Sequence, residues 1–145
     1  MANPPPRPSP GAMPPADIGA LLRQADAFWR AGRLVEAEQL CRRILGTQRK
    51  HPDASHLLGL VAHSAGHLDA AIRHIEDATA HPRAPAPWYA NLAEMLRQRG
   101  RLQDAERAAR KAIALDASYP GALNNLGIIL QEVGKFAESR TMLER

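Results

Sequence analysis

Cysteine occurs once in the 145 residues, at Cys41. A lone thiol cannot close an internal disulfide, so the fold cannot rest on one, and Cys41 is expected as a packed core residue. Aromatic residues supply only 4% of the chain, which leaves alanine and leucine to do the packing and favours closely stacked helices. No apolar run is long enough to cross a bilayer, and no apolar segment near Met1 has the form of a secretory leader. A cytoplasmic protein is expected. Strand-type alternation of apolar and polar residues is missing too. So are a phosphate-cradling glycine loop, a nucleophile–base pair and paired carboxylates on a rigid frame, so the chain is not expected to be an enzyme or to need a cofactor.

Histidine and positive charge are present, but not in the patterns that make sites. His63 and His67 are four apart and His56 precedes His63 by seven, yet Gly66 interrupts the helix between the first pair. No Cys or carboxylate completes the three or four convergent ligands zinc needs, so no metal is expected. The formal net charge is +4 and the pI about 9.8. Residues 1–50 hold eight Lys and Arg against four Asp and Glu, 51–100 four against five, and 101–145 seven against six. The surplus sits in the first third, partly at Arg49-Lys50, and forms no stripe with interleaved aromatics, which argues against a nucleic-acid partner. Residues 1–16, MANPPPRPSPGAMPPA, are Pro-rich and expected to be a disordered spacer.

What the remainder does contain is a repeat. Gly32, Gly66, Gly100 and Gly134 follow one another at intervals of 34 residues. Two after each glycine stand Leu34, Leu68, Leu102 and Phe136; five after, Ala37, Ala71, Ala105 and Ser139; seven before, Ala25, Gly59, Ala93 and Gly127; eight before, Gln24, Leu58, Leu92 and Leu126. Apolar positions spaced by three and four predict a helix on each side of the glycine, and the glycine ends the first. The small residues seven before and five after let the two helices approach where they cross. A hairpin of this kind cannot bury its apolar stripe alone and must stack on its neighbours.

This pattern, from Asp17 to Arg145, resembles the tetratricopeptide repeat family in its period, its Leu-Gly or Leu-Ala pairs, its turn glycine and the alanine five after it. It departs at Gln24, where leucine is usual and a polar end cap is expected, and at Ser139. It departs also at Arg49, Arg83 and Ala117, which replace the closing proline; Pro52, Pro82 and Pro120 lie close enough to start or stop a helix in its stead. The resemblance implies an all-α, right-handed α-solenoid of about four hairpins, with repeats near 18–51, 52–85, 86–119 and 120–145 of a domain spanning 17–145. It also implies a protein–protein interaction module, whose first helices line a concave groove for a partner polypeptide.

Carried onto this chain, the groove positions are Arg23, Leu57, Asn91 and Asn125; Asp26, Leu60, Glu94 and Ile128; and Trp29, His63, Arg97 and Gln131. Asn91 and Asn125 are poor interior helix residues at the same repeat position, with Asn124 beside the second. A carboxamide can pair with both the N–H and the C=O of one peptide unit. The pair resembles the asparagine ladder in the repeats of O-GlcNAc transferases, and the chain is similar to the N-terminal repeats of bacterial glycosyltransferases of that kind. A stand-alone adaptor of an assembly or secretion complex is the other reading. The carboxylate clamp of related repeats is matched only loosely by Arg23, Asn91 and Arg97. Trp29 is either a partner anchor or a residue packed on the tail or the next repeat. Trp88 and Tyr89 are expected to staple the start of the third hairpin. The last repeat reaches Arg145 one residue before its next core position, with no polar capping helix. Leu130, Met142 and Leu143 are therefore expected at an exposed end, covered by more chain, by self-association or by a partner.

Overall fold

The computed structural model describes residues 1–6 and 15–145; residues 7–14 of the Pro-rich segment lie outside the described residues. Residues 1–6 are exposed and carry neither helix nor strand. Among the described residues the chain is all-α: α1 (Pro15–Arg30), α2 (Leu34–Thr47), α3 (Pro52–Ser64), α4 (Leu68–Thr79), α5 (Ala86–Gln98), α6 (Leu102–Leu115), α7 (Pro120–Glu132) and α8 (Phe136–Leu143). The first helix begins two residues inside the expected tail. Pro15, Pro52 and Pro120 each open a helix, where a missing N–H and a preset φ cost nothing. No described helix is long and apolar enough to cross a membrane.

Each odd-numbered helix ends in the same way. The four turn glycines have φ between 76° and 84°, the left-handed region that side chains resist. That turn lets the next residue's N–H reach back to the carbonyl five residues earlier: Arg33 to Phe28, His67 to Ala62, Arg101 to Leu96 and Lys135 to Leu130, at 2.7–2.9 Å. The glycine N–H bonds the carbonyl three earlier, completing a double closure of the helix end. The carbonyl of the same post-glycine residue then accepts from the residue four on, Ala37, Ala71, Ala105 or Ser139, and so opens the second helix. Glu36, Asp69, Asp104 and Glu138 occupy the first turns of these second helices, where the helix dipole favours them.

Within a hairpin the small positions meet. Ala37, Ala71 and Ala105 have no exposed surface, and Ser139 has 1%. The Ser139 hydroxyl donates to the Gly127 carbonyl at 2.6 Å, so the departure from alanine buries a satisfied polar group. A Cβ on Gly59 would stand 2.5 Å from Ile75 Cδ1, and one on Gly127 would stand 2.5 Å from Leu143 Cδ2. Hairpins with glycine at this site place Ile75 or Leu143 against it. Those with Ala25 or Ala93 carry Cys41 or Ala109 instead. The volumes compensate, as close packing requires.

The hairpins α1–α2, α3–α4, α5–α6 and α7–α8 stack in order. Each second helix contacts the following first helix, and α1 also meets α3, and α5 meets α7. The largest core cluster runs from Ile72 and Ile75 through Leu92, Leu96 and Ala109 to Leu126, Ile129 and Leu130. Leu130 corrects an expectation: it is fully buried, because four before the glycine faces the hairpin interior rather than the end of the stack. Met142 is half-buried against the same cluster. Leu143 is 44% and Phe136 67% exposed; Phe136 stands where Leu34, Leu68 and Leu102 are half-buried in the preceding hairpins.

Candidate functional site

Successive first helices are joined by hydrogen bonds that all span 35 residues, one more than the repeat. Trp29 Nε1 donates to Ser64 Oγ at 3.0 Å. His63 Nε2 and Gln98 Oε1 lie 2.8 Å apart. Arg97 donates to Glu132 Oε1 at 2.7 Å. Nearer the helix starts, Asn91 Nδ2 lies 3.1 Å from His56 Nε2, and Asn125 Nδ2 donates to the Ala90 carbonyl at 3.0 Å. Residues three before a glycine thus reach those two before the next, and the asparagines nine before a glycine reach back to residues ten before the previous one. Asn91 and Asn125 are inter-helix ties. Each keeps Oδ1 and one amide N–H outside these bonds.

His56 determines how its tie can form. Asn91 Nδ2 can only donate, so Nε2 of His56 must accept, which places the ring proton on Nδ1. The imidazole also stacks on Trp88, with centroids 4.6 Å apart and planes at 11°. Burial pushes its pKa down to about 4, with Asp53 acting weakly the other way, so the neutral ring the bond needs is the form present at neutral pH. Trp88, in the first turn of α5, thus pairs with a histidine in the preceding hairpin. No local sequence signal foretold this, because His56 and Trp88 are 32 residues apart and meet only through stacking.

The other groove residues form a polar chain. Glu94 takes a two-bond fork from Arg97 at 2.9 and 2.7 Å and a bond from Gln98 at 3.0 Å. Gln98 meets His63 and Arg97 meets Glu132, so the chain crosses three hairpins. The Arg97 hydrogen bonds hold the Glu94 carboxyl below the usual carboxylate range, and the two glutamates push Arg97 up. A guanidinium so engaged is already neutralised, which weakens its comparison with a carboxylate clamp.

The remaining expected residues lie outside this polar chain. Trp29 is half-buried and packs on the cluster of Ala25, Cys41, Leu57 and Leu58, so among the described residues it meets its own and the neighbouring hairpin; residues 7–14 of the Pro-rich tail, the other expected surface, lie outside the described residues. Gln131 is exposed. Asn124 is exposed too, and lines a cleft at the α7–α8 end with Leu123, Met142 and Leu143, away from the asparagine ties. Leu57, expected to point into the groove, is buried, with 6% exposed. Cys41 has no exposed surface and burial pushes its thiol up to about 11. Among the described residues no three His, Cys, Asp or Glu side chains converge as metal ligands.

Comparison with known proteins places this arrangement. Models described as tetratricopeptide repeat match residues 12–55 and residues 88–115 and 121–145, more than half the chain together. The chain is 45% identical over 84 residues to cellulose synthase operon protein C of Komagataeibacter xylinus, covering 56% of this chain and 6% of that protein. Among solved structures it is similar to MamA, at 19% identity and a TM-score of 0.81, covering 90% of this chain and 76% of that one. It is also similar to a mutant of Thermobaculum terrenum O-GlcNAc transferase, at 29% identity and a TM-score of 0.73, covering 79% of this chain and 22% of that one. With four glycine-closed hairpins, small residues at each crossing and matching family models at both ends, the chain belongs to the tetratricopeptide repeat family.

Proposed function

We propose that the face formed by α1, α3, α5 and α7 receives an extended segment of a partner polypeptide. Tetratricopeptide repeats generally mediate protein–protein interactions. The observation that carries the reading for this chain is the pair of asparagine ties. A bond to the preceding helix holds Asn91 and Asn125 in one orientation, and each retains an acceptor and a donor for one peptide unit. Packed helices lie ~8–10 Å apart and an extended chain advances ~3.3 Å per residue, so one asparagine meets about every third peptide residue. Contacts to backbone groups tolerate many partner sequences. Peptides selected on the chain from a phage-displayed random dodecamer library test the reading. Replacing both Asn91 and Asn125 by Ala is expected to weaken their binding about tenfold with helicity retained. Unchanged affinity in a folded double variant would remove the asparagines from the reading.

A second reading concerns context. The likeness to the O-GlcNAc transferase favours a substrate-recognition region within a longer glycosyltransferase; the other reading is a stand-alone cytoplasmic adaptor. The intact mass in source cells separates them: a mass well above 15.8 kDa, with a sugar-nucleotide-binding domain on the same polypeptide, supports the first. A mass of 15.8 kDa supports the second.

A further inference from the structure

The face described above is not uniform. Toward α7 it is polar and internally paired, through His63, Gln98, Glu94, Arg97 and Glu132. Toward α1 it opens into a cleft of about 530 Å³ lined by Leu22, Trp29, His56, Leu57, Leu60 and Trp88. We propose that this cleft is the anchor site of the groove, and that it takes one bulky apolar side chain of an extended partner segment. The inference rests on the peptide-groove reading and adds to it where the partner is gripped and by what.

Three observations carry it. First, the cleft brings together both tryptophans of the chain, the residue type most often responsible for anchoring at interfaces. Second, its walls are already ordered. Trp29 is held by its bond to Ser64 and by the Arg30 guanidinium, 5.9 Å from its ring. Trp88 is held by the His56 stack, and His56 by Asn91. A partner side chain would enter a site that needs little rearrangement, which lowers the entropic cost of binding. Third, the rim carries charge of both signs. Asp26 is paired with Arg30 at 2.7 Å, whereas Arg23 and Asp53, which also line the cleft, make no ion pair among the described residues. The fitting occupant is therefore a polypeptide segment whose apolar anchor is flanked by an acidic residue facing Arg23 and a basic residue facing Asp53.

Because both tryptophans lie in this cleft, their fluorescence reports its occupancy without a mutation or a label. The probe is a set of synthetic Trp-free dodecapeptides, made from the sequences enriched by phage selection on the 145-residue chain. The expected result is a shared Phe, Leu, Ile or Met in the enriched set and a saturable change in tryptophan emission on titration. Binding should weaken tenfold or more when that residue becomes Gly or when Trp88 is replaced by Ala, with helicity retained by circular dichroism. Peptides that bind through Asn91 and Asn125 but share no apolar residue and leave the emission unchanged would overturn the anchor and keep the groove. Failure to enrich any peptide would overturn both. Should the Trp88→Ala chain not fold, the emission titration of the unaltered chain decides between the first two outcomes.

Discussion

His56 and Asn91 hold their bond only while the imidazole is neutral. Its folded pKa, about 4, lies below the ordinary value near 6.5, so between these values the unfolded chain binds the extra proton. The stabilisation is therefore complete above about pH 6.5 and is lost as pH falls toward 4. A shift of this size corresponds to on the order of 3 kcal/mol. Urea unfolding at pH 7, 5.5 and 4.5 is expected to show a falling midpoint, with a His56→Gln chain flatter over the same interval. Equal slopes for the two chains would assign the acid lability elsewhere. Cys41 offers a second test at this scale. A buried thiol pushed up to about 11 is expected to resist a thiol reagent at pH 8 in the native chain and to react promptly in denaturing urea. Rapid native labelling would mean that α2 opens readily.

The helix hairpin is governed by two kinds of glycine with different physics. Gly100 has φ 84° and nothing within 4 Å of a built Cβ, so its requirement is conformational. Gly100→Ala is expected to cost about 1–2 kcal/mol through backbone strain alone. Gly59 lies inside α3, and its requirement is space: Ile75 fills the room a methyl would need. Gly59→Ala is expected to cost about 1–3 kcal/mol by overpacking. Adding Ile75→Ala should give a total below the sum of the single changes, since the third hairpin already combines Ala93 with Ala109. Denaturant midpoints of the single and double variants check this, and strict additivity would mean the two sites do not share the volume. The 34-residue spacing identified both glycines at once; it could not say which was needed for its dihedral and which for its missing side chain.

Over the whole stack, stability is a sum of hairpins and of junctions between neighbours. At the α5–α7 junction, Arg97, forked to Glu94 within α5, makes a further bond to Glu132. These groups are one-quarter to about one-third exposed, so the bridge is worth only ~1 kcal/mol. Its loss should be felt locally. In an Arg97→Met chain, amide exchange is expected to quicken in α7 and α8 and to stay unchanged in α1 and α2. A uniform change along the chain would indicate that the hairpins unfold as one unit.

The sequence by itself determined the hairpins. A glycine turn every 34 residues, apolar positions at helical spacing and small residues at the crossings are local and periodic, and their physics acts within some thirty residues. From them followed the helix pairs, the close packing at Gly59 and Gly127, and the shared position of Asn91 and Asn125. Tertiary structure alone decided what each groove residue touches. The ties span 35 residues rather than 34 because each helix leans on its neighbour one residue out of step, an offset that depends on how the hairpins stack. That offset turned the asparagines toward the preceding helix and brought Glu132 to Arg97, and the same stacking set His56 against Trp88. None of these contacts has a signature inside one repeat, since each is made between surfaces that meet only when the stack is built.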